Sequence, residues 1–316
     1  MPDAGLSPMK ALIYKSTGSW YSAKGDNNLL YHARIKGAMK LEGITSTNPI
    51  AVGDEVLMDR ENDDEPYAMI TEVLGRRNYI ARTSPHSKYQ FHIIASNLDQ
   101  SILFATLKNP KTSQGFIDRF LVSCEAYHVP ACIVFNKADV YRAKELQRFE
   151  ELQPIYQACG YRVLLASMQT GEGVEEIKAL LRNKTTLLSG HSGVGKSTFI
   201  NAIFPELKLR TQQVSDWSGK GLHTTTFAEM FDLPFGGKII DTPGVREFGV
   251  VDISRQELAH YFPEMRVKMN DCQFNNCMHI NEPGCAVKNA VNTGQVTQDR
   301  YVSYLTILDT MTDKKF

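Results

Sequence analysis

The sequence contains the eight residues Gly190-His191-Ser192-Gly193-Val194-Gly195-Lys196-Ser197, which fit the pattern GxxxxGKS. A short β-type run over 185–188 precedes them, and a helical pattern begins at Lys196. In such a loop the glycines turn successive backbone N–H groups toward one anion, and the positive end of the following helix faces the same anion. An ordinary Gly-rich turn is the alternative, and the Lys-Ser ending argues against it. The stretch therefore predicts a phosphate-binding loop, or P-loop.

Two side chains of this loop have predicted roles in nucleotide chemistry. Lys196 can reach the β- and γ-phosphates, so we assign it a catalytic role as well as a binding role, and the Ser197 hydroxyl can bind Mg²⁺. The predicted phosphate-binding residues are Gly190, His191, Ser192, Gly193, Val194, Gly195, Lys196, Ser197 and Thr198.

Composition places the chain among globular proteins. It has 316 residues, of which 42% are hydrophobic, and 35 Lys and Arg balance 35 Asp and Glu. This length predicts two or three domains, and the balanced charge gives no overall field that points to nucleic acid or membrane. No apolar run approaches the roughly 20 residues of a membrane span, and the first residues lack a signal-peptide pattern. We therefore expect a cytoplasmic protein, and a monomer.

Residues 9 to about 82 predict a small all-β unit, because short alternating runs are separated by Gly, Asn and Asp. Within 29–36, the residues on one face of a predicted strand are Leu29, Tyr31, Ala33 and Ile35. Further strands are predicted at 54–58, 68–74 and 79–82. Strands of this length and number fit an OB-fold barrel, which either binds nucleic acid or only packs on its neighbour.

Strands alternate with helices after this unit, which predicts a parallel sheet covered on both faces. The predicted strands lie at 102–106, 131–135 and 161–166, and the predicted helices around 116–124 and at 145–159, the second kinked or split at Pro154. Two loops follow strands at the carboxyl edge, where open α/β sheets bind ligands. They read Asn136-Lys137-Ala138-Asp139 and Ser167-Met168.

The NKAD loop, Asn136 to Asp139, has a chemistry that selects guanine. An Asp carboxylate accepts two hydrogen bonds from the guanine N1–H and exocyclic amine, whereas adenine offers no such pair of donors. A site built on that pairing can discriminate by a factor on the order of 10⁴. A surface turn that reads NKAD by chance is the alternative, and the accompanying P-loop argues against it.

A third nucleotide motif follows the P-loop helix. A predicted β-hairpin, 227–233 and 238–240, delivers Asp241-Thr242-Pro243-Gly244 at a strand end. In this DxxG pattern Asp241 holds Mg²⁺ through water and the Gly244 N–H senses the γ-phosphate. The long segment between helix and hairpin, 204–226, has little periodicity, and loops of this length are usually functional or mobile.

The order of these motifs is unusual. Guanine nucleotide-binding domains normally run P-loop, threonine switch, DxxG and NKxD, whereas NKAD and the Ser167 loop precede the P-loop here. The order predicts a circularly permuted domain. The strand that carries DTPG then runs directly into the carboxyl-terminal region, which receives the nucleotide-sensing switch.

The six cysteines form two groups. The first, Cys124, Cys132 and Cys159, lies singly in apolar segments and predicts reduced core residues. The second combines three thiols and an imidazole within fourteen residues, Cys272, Cys277, His279 and Cys285. This set predicts a closed, structural Zn²⁺ site, with a disulfide or unrelated free thiols as the alternatives. A terminal helix at 301–308 is predicted to pack near it, after another at 254–261.

These features together resemble the bacterial RsgA (YjeQ) family of circularly permuted GTPases that depend on the small ribosomal subunit. The resemblance covers almost the whole chain and includes Leu74-Gly75-Arg76-Arg77-Asn78, Asn97-Leu98-Asp99-Gln100, GHSGVGKS, GKGLHTTT, DTPGVREFG and CxxxxCxHxxEPGCAV. It implies an OB-fold, a permuted GTPase domain and a zinc domain that bind the small subunit during its late maturation, with rRNA contacts from the first and last. It also implies that the subunit stimulates hydrolysis of GTP.

Two departures affect the predicted site. Ser167-Met168 stands where the base-side loop usually reads Ser-Ala, and Val245 stands where many GTPases have the Gln that orients the attacking water, a difference the family shares. Another group must then position the water. We predict His223 for this role, with a contact to RNA as the alternative, and Thr225 as a catalytic residue and Mg²⁺ ligand beside Ser197 and Asp241.

We predict three domains: an OB-fold over 9–85, the permuted GTPase over 86–250 and a zinc domain over 251–316. The leading interpretation is a GTPase that acts in ribosome assembly, with GTP, Mg²⁺ and one structural Zn²⁺. An rRNA-binding checkpoint that uses GTP mainly to switch shape is the second interpretation. A P-loop kinase or ATPase is the third, and NKAD argues against it.

Overall fold

Five strands near the amino terminus close into a barrel. The computed structural model of the chain describes residues 8–36, 46, 48–60, 66–84, 87–207, 228–242 and 253–311. The barrel strands are β1 (Met9–Ser16), β2 (Tyr21–Gly25), β3 (Leu30–Ile35), β4 (Glu55–Asp59) and β5 (Tyr67–Val73). They pair in the order β1-β2-β3-β5-β4, and β4 returns to β1, with β3 and β5 parallel. This order is that of an OB-fold, so the predicted barrel is confirmed.

The barrel core follows the alternation of its strands. Tyr31 and Ala33 of β3 are buried, as predicted, and pack with Ile13, Val56 and Ile70. Leu29 was assigned to the same face, and that assignment is wrong. Its side chain is 57% exposed, because β3 begins one residue later and Leu29 belongs to the preceding turn.

The predicted strand at 79–82 exists but does not belong to the barrel. It forms β6 (Tyr79–Ser84), which pairs antiparallel with β7 (Ser87–Ser96) in a separate two-stranded sheet. Each barrel strand already pairs with two other strands of the barrel, so β6 is not needed to close it.

A buried ion pair joins the barrel to the segment that follows it. Arg76 donates from Nε to Asp54 Oδ1 at 2.7 Å and from Nη2 to Asp54 Oδ2 at 2.6 Å. Asp54 is fully buried and also accepts from the Ala51 N–H and the Ser96 hydroxyl. Because Ser96 ends β7, this cluster ties the two β-units together.

Strands and helices alternate through the central part of the chain, as predicted. The elements are β8 (Gln100–Ala105), α1 (Gln114–Ala126), β9 (Ala131–Phe135), α2 (Ala143–Ala158), β10 (Arg162–Leu165), α3 (Val174–Leu181), β11 (Thr185–Ser189), α4 (Lys196–Ile203), β12 (Glu229–Asp232) and β13 (Lys238–Asp241). The sheet order is β10-β9-β8-β11-β13-β12, parallel except for β12. Since β8 lies beside β11, the permuted chain closes a continuous sheet.

Both faces of this sheet are buried. Ile102 and Phe104 of β8 pack with residues of α3 and α4, whereas Leu103 and Ala105 pack with residues of α1 and α2. Such two-sided burial explains why these strands read as continuous apolar runs rather than alternating ones.

Helix α2 runs through Pro154 without a break, so of the kink or split predicted at this residue the split is wrong. Pro154 and Glu150 both lie on the exposed face, where water can satisfy the Glu150 carbonyl that loses its helical partner. On the opposite face, Phe149, Leu152 and Tyr156 remain buried and hold the helix to the sheet.

The barrel and the central sheet are hydrogen-bonded to each other. Strand β1 pairs with β12 at Lys15 and Glu229, whose side chains also form a 2.8 Å ion pair. The Tyr14 hydroxyl donates to Asp232 at 2.8 Å, and Lys24 lies 2.7 Å from the same carboxylate. The edge strand β12 is thus covered by the barrel.

The carboxyl-terminal unit contains short helices around its own core. They are α5 (Pro263–Arg266), α6 (Ala286–Asn292) and α7 (Gln298–Thr310), the last confirming the predicted terminal helix. The helix predicted at 254–261 is wrong in extent: only Leu258–Tyr261 is helical, as a 3₁₀ turn. Phe262 adopts an extended conformation before Pro263, which ends the turn. Within the described ranges, no helix has both the length and the apolar character of a membrane span.

The three cysteines predicted to be reduced core residues are free thiols. Cys124 and Cys132 are buried, and Cys159 is partly buried. Burial raises the pKa of Cys132 to about 12, so its thiol is neutral at physiological pH.

Candidate nucleotide site and metal cluster

The P-loop lies between β11 and α4. Gly190, Gly193 and Gly195 have φ values of 136°, 80° and 100°, which side-chain-bearing residues rarely adopt. A Cβ on Gly190 would lie 2.3 Å from the Phe104 carbonyl oxygen, and one on Gly195 would lie 2.2 Å from Asn136 Nδ2. Backbone conformation therefore favours glycine at all three positions, and close packing also requires it at Gly190 and Gly195.

Lys196 lies at the start of α4 with its ammonium group turned back into the loop. Its Nζ donates to the carbonyls of Gly190 at 2.6 Å and His191 at 3.1 Å. The residue is 8% exposed, and burial lowers its pKa, while the carboxylate of Asp241 opposes this shift. Ser197 is partly buried at the same helix end, and Ser192 and Thr198 are exposed.

Asn136 connects the NKAD loop to the P-loop. Its Nδ2 donates to the Val194 carbonyl at 2.8 Å, and its Oδ1 accepts from the Met168 N–H at 3.3 Å. The side chain is almost fully buried, at 1% exposure. One amide thus holds together the NKAD loop, the P-loop and the Ser167 loop.

Two of the other NKAD residues, Ala138 and Asp139, contact the segment that contains Ser167. The Ser167 hydroxyl donates to Asp139 Oδ1 at 2.5 Å, and the Ala138 N–H donates to the Ala166 carbonyl at 3.0 Å. Lys137 has a left-handed conformation, with φ of 67°, and its Nζ donates to the Asn109 carbonyl at 2.5 Å. Burial lowers the pKa of Lys137, and the nearby Asp139 carboxylate opposes this shift.

Asp241 ends β13, directly beside the P-loop strand. It pairs in register with Leu188 and is 3% exposed. Thr242 follows it, and its hydroxyl donates to the Leu188 carbonyl at 3.3 Å. Asp241 therefore lies at the same sheet edge as Lys196. Gly244, His223 and Thr225 lie outside the described residues, and their assigned roles remain predictions.

Sequence reasoning missed two contacts around these loops. The Phe116 ring stacks on the His191 imidazole with centroids 3.8 Å apart. The Tyr141 hydroxyl donates to the Asn136 carbonyl at 2.6 Å and accepts from the Leu107 N–H at 2.9 Å. Neither aromatic residue belongs to a motif, so only the folded structure reveals these roles.

The four predicted zinc ligands come together in the carboxyl-terminal unit. The ligand atoms of Cys272, Cys277, His279 and Cys285 all lie within 4.8 Å of one another. His279 Nδ1 is 3.6 Å from Cys272 Sγ and 3.4 Å from Cys285 Sγ. Tetrahedral Zn²⁺ with bonds of about 2.3 Å places its sulfur ligands about 3.8 Å apart, so this set fits the ion.

Neighbouring side chains fix the backbone around this cluster. The Tyr301 hydroxyl of α7 donates to the His279 carbonyl at 2.6 Å, and the Tyr304 hydroxyl donates to the Met278 carbonyl at 2.7 Å. Glu282 accepts from the N–H groups of Met278 and Ile280, both at 2.8 Å. The predicted packing of the terminal helix near the cluster is confirmed.

Comparison with known proteins identifies the family. The model of the RsgA GTPase matches residues 73–251, and the model of the RsgA N-terminal domain matches residues 10–68. The chain belongs to the RsgA GTPase family. It is therefore a GTPase, and the family implies binding of GTP, GDP and Mg²⁺, as the three nucleotide motifs predicted.

Relatives of similar length support RsgA membership over the whole chain. The small ribosomal subunit biogenesis GTPase RsgA of Cytophaga hutchinsonii is 51% identical over 300 residues, covering 95% of this chain and 98% of its own. The protein of the same name from Christiangramia forsetii is 48% identical, with coverage of 95% and 96%.

Solved structures agree with the fold. The crystal structure of YjeQ from Thermotoga maritima superposes with a TM-score of 0.77 at 33% identity, covering 96% of this chain and 98% of its own. The circularly permuted GTPase YloQ gives a TM-score of 0.71 at 28% identity, with coverage of 98% and 96%. The predicted fold class, a barrel followed by a permuted GTPase domain and a carboxyl-terminal cluster, is confirmed.

Proposed function

We propose that this protein binds the small ribosomal subunit, assists its late maturation and hydrolyses GTP to GDP and phosphate faster when the subunit is bound. The hydrogen bond between Asn136 and Val194 carries this proposal, because it joins a guanine-selective loop to a P-loop in a member of the RsgA family. Relatives of nearly equal length bear the name of a small ribosomal subunit biogenesis GTPase.

Base selection is assigned to Asp139, whose carboxylate would accept from the guanine N1–H and exocyclic amine. The Ser167 hydroxyl supports this role, since its hydrogen bond orients the carboxylate. Lys137 would cover the base, and the Met168 N–H would approach its carbonyl oxygen. The remaining NKAD residues, Asn136 and Ala138, support the loop.

Phosphate binding is assigned to the P-loop from Gly190 to Thr198. Lys196 would exchange its present carbonyl partners for the β- and γ-phosphates. Ser197, Thr225 and Asp241 would hold Mg²⁺, directly or through water, which neutralises charge as the γ-phosphate leaves. Gly244 would sense the γ-phosphate.

Hydrolysis is assigned to His223 as the group that positions water, because Val245 cannot do so. Free protein would then turn GTP over slowly, since positioning and electrostatic alignment are most of what a GTPase contributes. Subunit binding would bring His223 and Thr225 into place.

The Cys272–Cys285 cluster is assigned one structural Zn²⁺. Three thiolates and one imidazole complete a tetrahedral shell, so no position is left for a substrate. The ion would supply folding energy to the carboxyl-terminal unit, where it would hold Cys285 at the start of α6.

Contact with rRNA is assigned to the barrel and the carboxyl-terminal unit. One outer face of the barrel supports this role: the Arg34 guanidinium lies 3.6 Å from the Trp20 ring centroid, and Tyr67 lies next to both Trp20 and His32. Trp20 is 37% exposed and Tyr67 55%. Exposed rings and guanidinium planes are the groups on which unpaired RNA bases stack.

The three predicted domains, with bounds 9–85, 86–250 and 251–316, are part of this proposal. The proposal also includes that the protein acts as a monomer and is located in the cytoplasm, where the subunit is assembled.

The second candidate function, an assembly checkpoint that uses GTP mainly as a switch, is favoured by one observation. Strand β12, which follows the segment with His223, is hydrogen-bonded to the barrel, so a nucleotide-dependent change there could reach an RNA-binding face.

The test measures phosphate release from GTP and ATP by purified protein, with and without small subunits. The proposal expects GTP to be strongly preferred and its turnover to rise with added subunits. Equal turnover with and without subunits would favour the checkpoint, and equal use of ATP would contradict the base assignment.

A further inference from the structure

Helix α1 contacts the P-loop through its first turn. The buried Phe116 ring stacks on His191, with ring planes 29° apart. The Ser113 hydroxyl caps the helix by accepting from the Phe116 N–H at 3.2 Å, which holds the ring in place. His191 also supplies a carbonyl to Lys196 Nζ. A displacement of α1 would therefore change the position of the residue beside the phosphate-binding lysine.

The same helix reaches into the carboxyl-terminal unit. Asp118, fully buried in α1, accepts from Arg300 Nη1 at 2.7 Å and from the Tyr156 hydroxyl at 2.9 Å. The other edge of the Arg300 guanidinium binds Glu264, at 2.7 Å from Nε and 3.2 Å from Nη2. One turn further along α1, Val122 packs in the core of the carboxyl-terminal unit.

Arg300 lies in α7, the helix that holds the Cys272–Cys285 cluster. The next residue, Tyr301, binds the His279 carbonyl, and Tyr304 binds the Met278 carbonyl one turn later. A continuous series of contacts thus runs from His191 through Phe116, α1 and Arg300 to the cluster.

Each joint in this series resists independent motion. Residues of α1 pack in two different cores, with Phe120 and Leu121 in the core of the sheet and Val122 in that of the carboxyl-terminal unit. Close-packed interiors transmit displacement rather than absorb it. Breaking the Arg300–Asp118 pair would leave a buried charge uncompensated, and this cost opposes separate movement of the two helices.

We propose that α1 couples the P-loop to the carboxyl-terminal unit, with Phe116 and Arg300 acting as positioning residues for the bound nucleotide. The inference rests on the nucleotide binding described under the proposed function. Coupling of this kind is reciprocal. If the intact Arg300–Asp118 contact raises the affinity for nucleotide by some factor, bound nucleotide stabilises the cluster region by the same factor.

The test uses the full chain with Phe116→Leu, Arg300→Met, the double substitution and Asp299→Asn. Leu keeps the apolar volume without the ring, and Met keeps the length of the side chain without its charge. Asp299 is the control for an exposed link, because its carboxylate lies 3.4 Å from Arg148 of α2, whose Nη2 also donates to Gln114 of α1 at 2.8 Å. It compares an exposed bridge between the same helices with the buried Arg300–Asp118 pair.

Two quantities are measured: the Kd of a fluorescent GDP analogue, and amide hydrogen exchange of residues 272–285 with and without GDP. We expect each single substitution at Phe116 or Arg300 to raise the Kd for GDP at least about fivefold. The double substitution should raise the Kd by less than the product of the two single fold-changes, because both residues act through the same helix. Asp299→Asn should stay within about twofold, as an exposed ion pair contributes little. GDP should slow exchange in the parent protein and in Asp299→Asn, and not in Arg300→Met.

The coupling would be overturned if Phe116→Leu and folded Arg300→Met both bound GDP with the affinity of the parent protein. It would also be overturned if GDP did not change the amide hydrogen exchange of residues 272–285 in the parent protein. Should Arg300→Met fail to fold, Phe116→Leu and the parent exchange decide the matter. Failure of the parent to bind either GDP or GTP would instead contradict the proposed function, and the coupling with it.

Discussion

Asn136 Nδ2 donates a 2.8 Å hydrogen bond to the backbone oxygen of Val194, and this bond joins the NKAD loop to the P-loop. The chain reaches these two loops in the reverse of the usual order. The contact survives permutation because β8 lies between β9 and β11, so both loops leave the sheet at the same edge. Spatial arrangement, rather than order along the chain, makes the site.

Replacing Asp139 should change which base is bound. Asp139→Asn loses a carboxylate that accepts two hydrogen bonds, each worth about 1.5–3 kcal/mol when charged, so GTP affinity should fall at least about 100-fold. The new amide can donate to the second carbonyl of xanthine, so xanthosine triphosphate should bind better than GTP. Fluorescent-nucleotide titration measures both affinities. Lys196→Ala is the control, and it should lower the affinities for GTP and xanthosine triphosphate by similar factors. Parent-like GTP binding by Asp139→Asn would refute the base assignment.

Replacing Arg76 should destabilise the joint between the barrel and the sheet beyond it. Arg76→Met leaves the fully buried Asp54 carboxylate without its cation, which should cost about 3–5 kcal/mol of unfolding free energy. The adjacent Arg77→Met is a matched control, because the Arg77–Asp99 pair is largely exposed and worth at most about 1 kcal/mol. Urea unfolding followed by circular dichroism gives both values. Equal decreases in unfolding free energy for the two variants would mean that other groups compensate the buried Asp54 charge when Arg76 is replaced.

Asp99 should make stability depend on pH. Burial raises its pKa, but the Thr185 N–H and Arg77, both at 2.7 Å, outweigh burial and leave the pKa lowered. A lowered folded-state pKa stabilises the protein above the unfolded value of about 3.9, and this contribution is lost as pH falls through the folded pKa. The melting temperature of Asp99→Asn should therefore lie below that of the parent near neutral pH and approach it below about pH 4. A constant difference across that range would contradict this account.

Much of the site was predictable because its motifs are local. NKAD, GHSGVGKS and DTPG each lie at the end of an apolar run, and that placement alone predicted the sheet edge where Asn136, Lys196 and Asp241 meet. The cluster of cysteines and His279 was equally local, since its four ligands fall within fourteen residues.

Long-range pairing was not predictable in the same way. The run at 79–82 has the alternation of a barrel strand, and nothing within it indicates that the barrel is already closed. The pairing of Lys15 with Glu229 and the burial of Arg300 against Asp118 join residues about 200 positions apart. Charged residues in isolation predict solvent exposure, so Arg300 gave no local signal of its buried role.

The carboxyl-terminal unit should contain zinc. We expect about one Zn²⁺ per purified chain, and Cys277→Ser should lose the metal and unfold this unit while nucleotide is still bound. Cys159→Ser is the control, since Cys159 is a free thiol outside the cluster. Elemental analysis measures the metal and limited proteolysis the unfolding. Absence of stoichiometric zinc from the parent protein would refute the assignment.

The measurement that tests the account most directly is sedimentation of the protein with purified small ribosomal subunits in the presence of GDP or of a non-hydrolysable GTP analogue. The account predicts that the protein sediments with the subunit when the GTP analogue is bound and is largely released with GDP. Equal association in the two nucleotide states, or none in either, would contradict it.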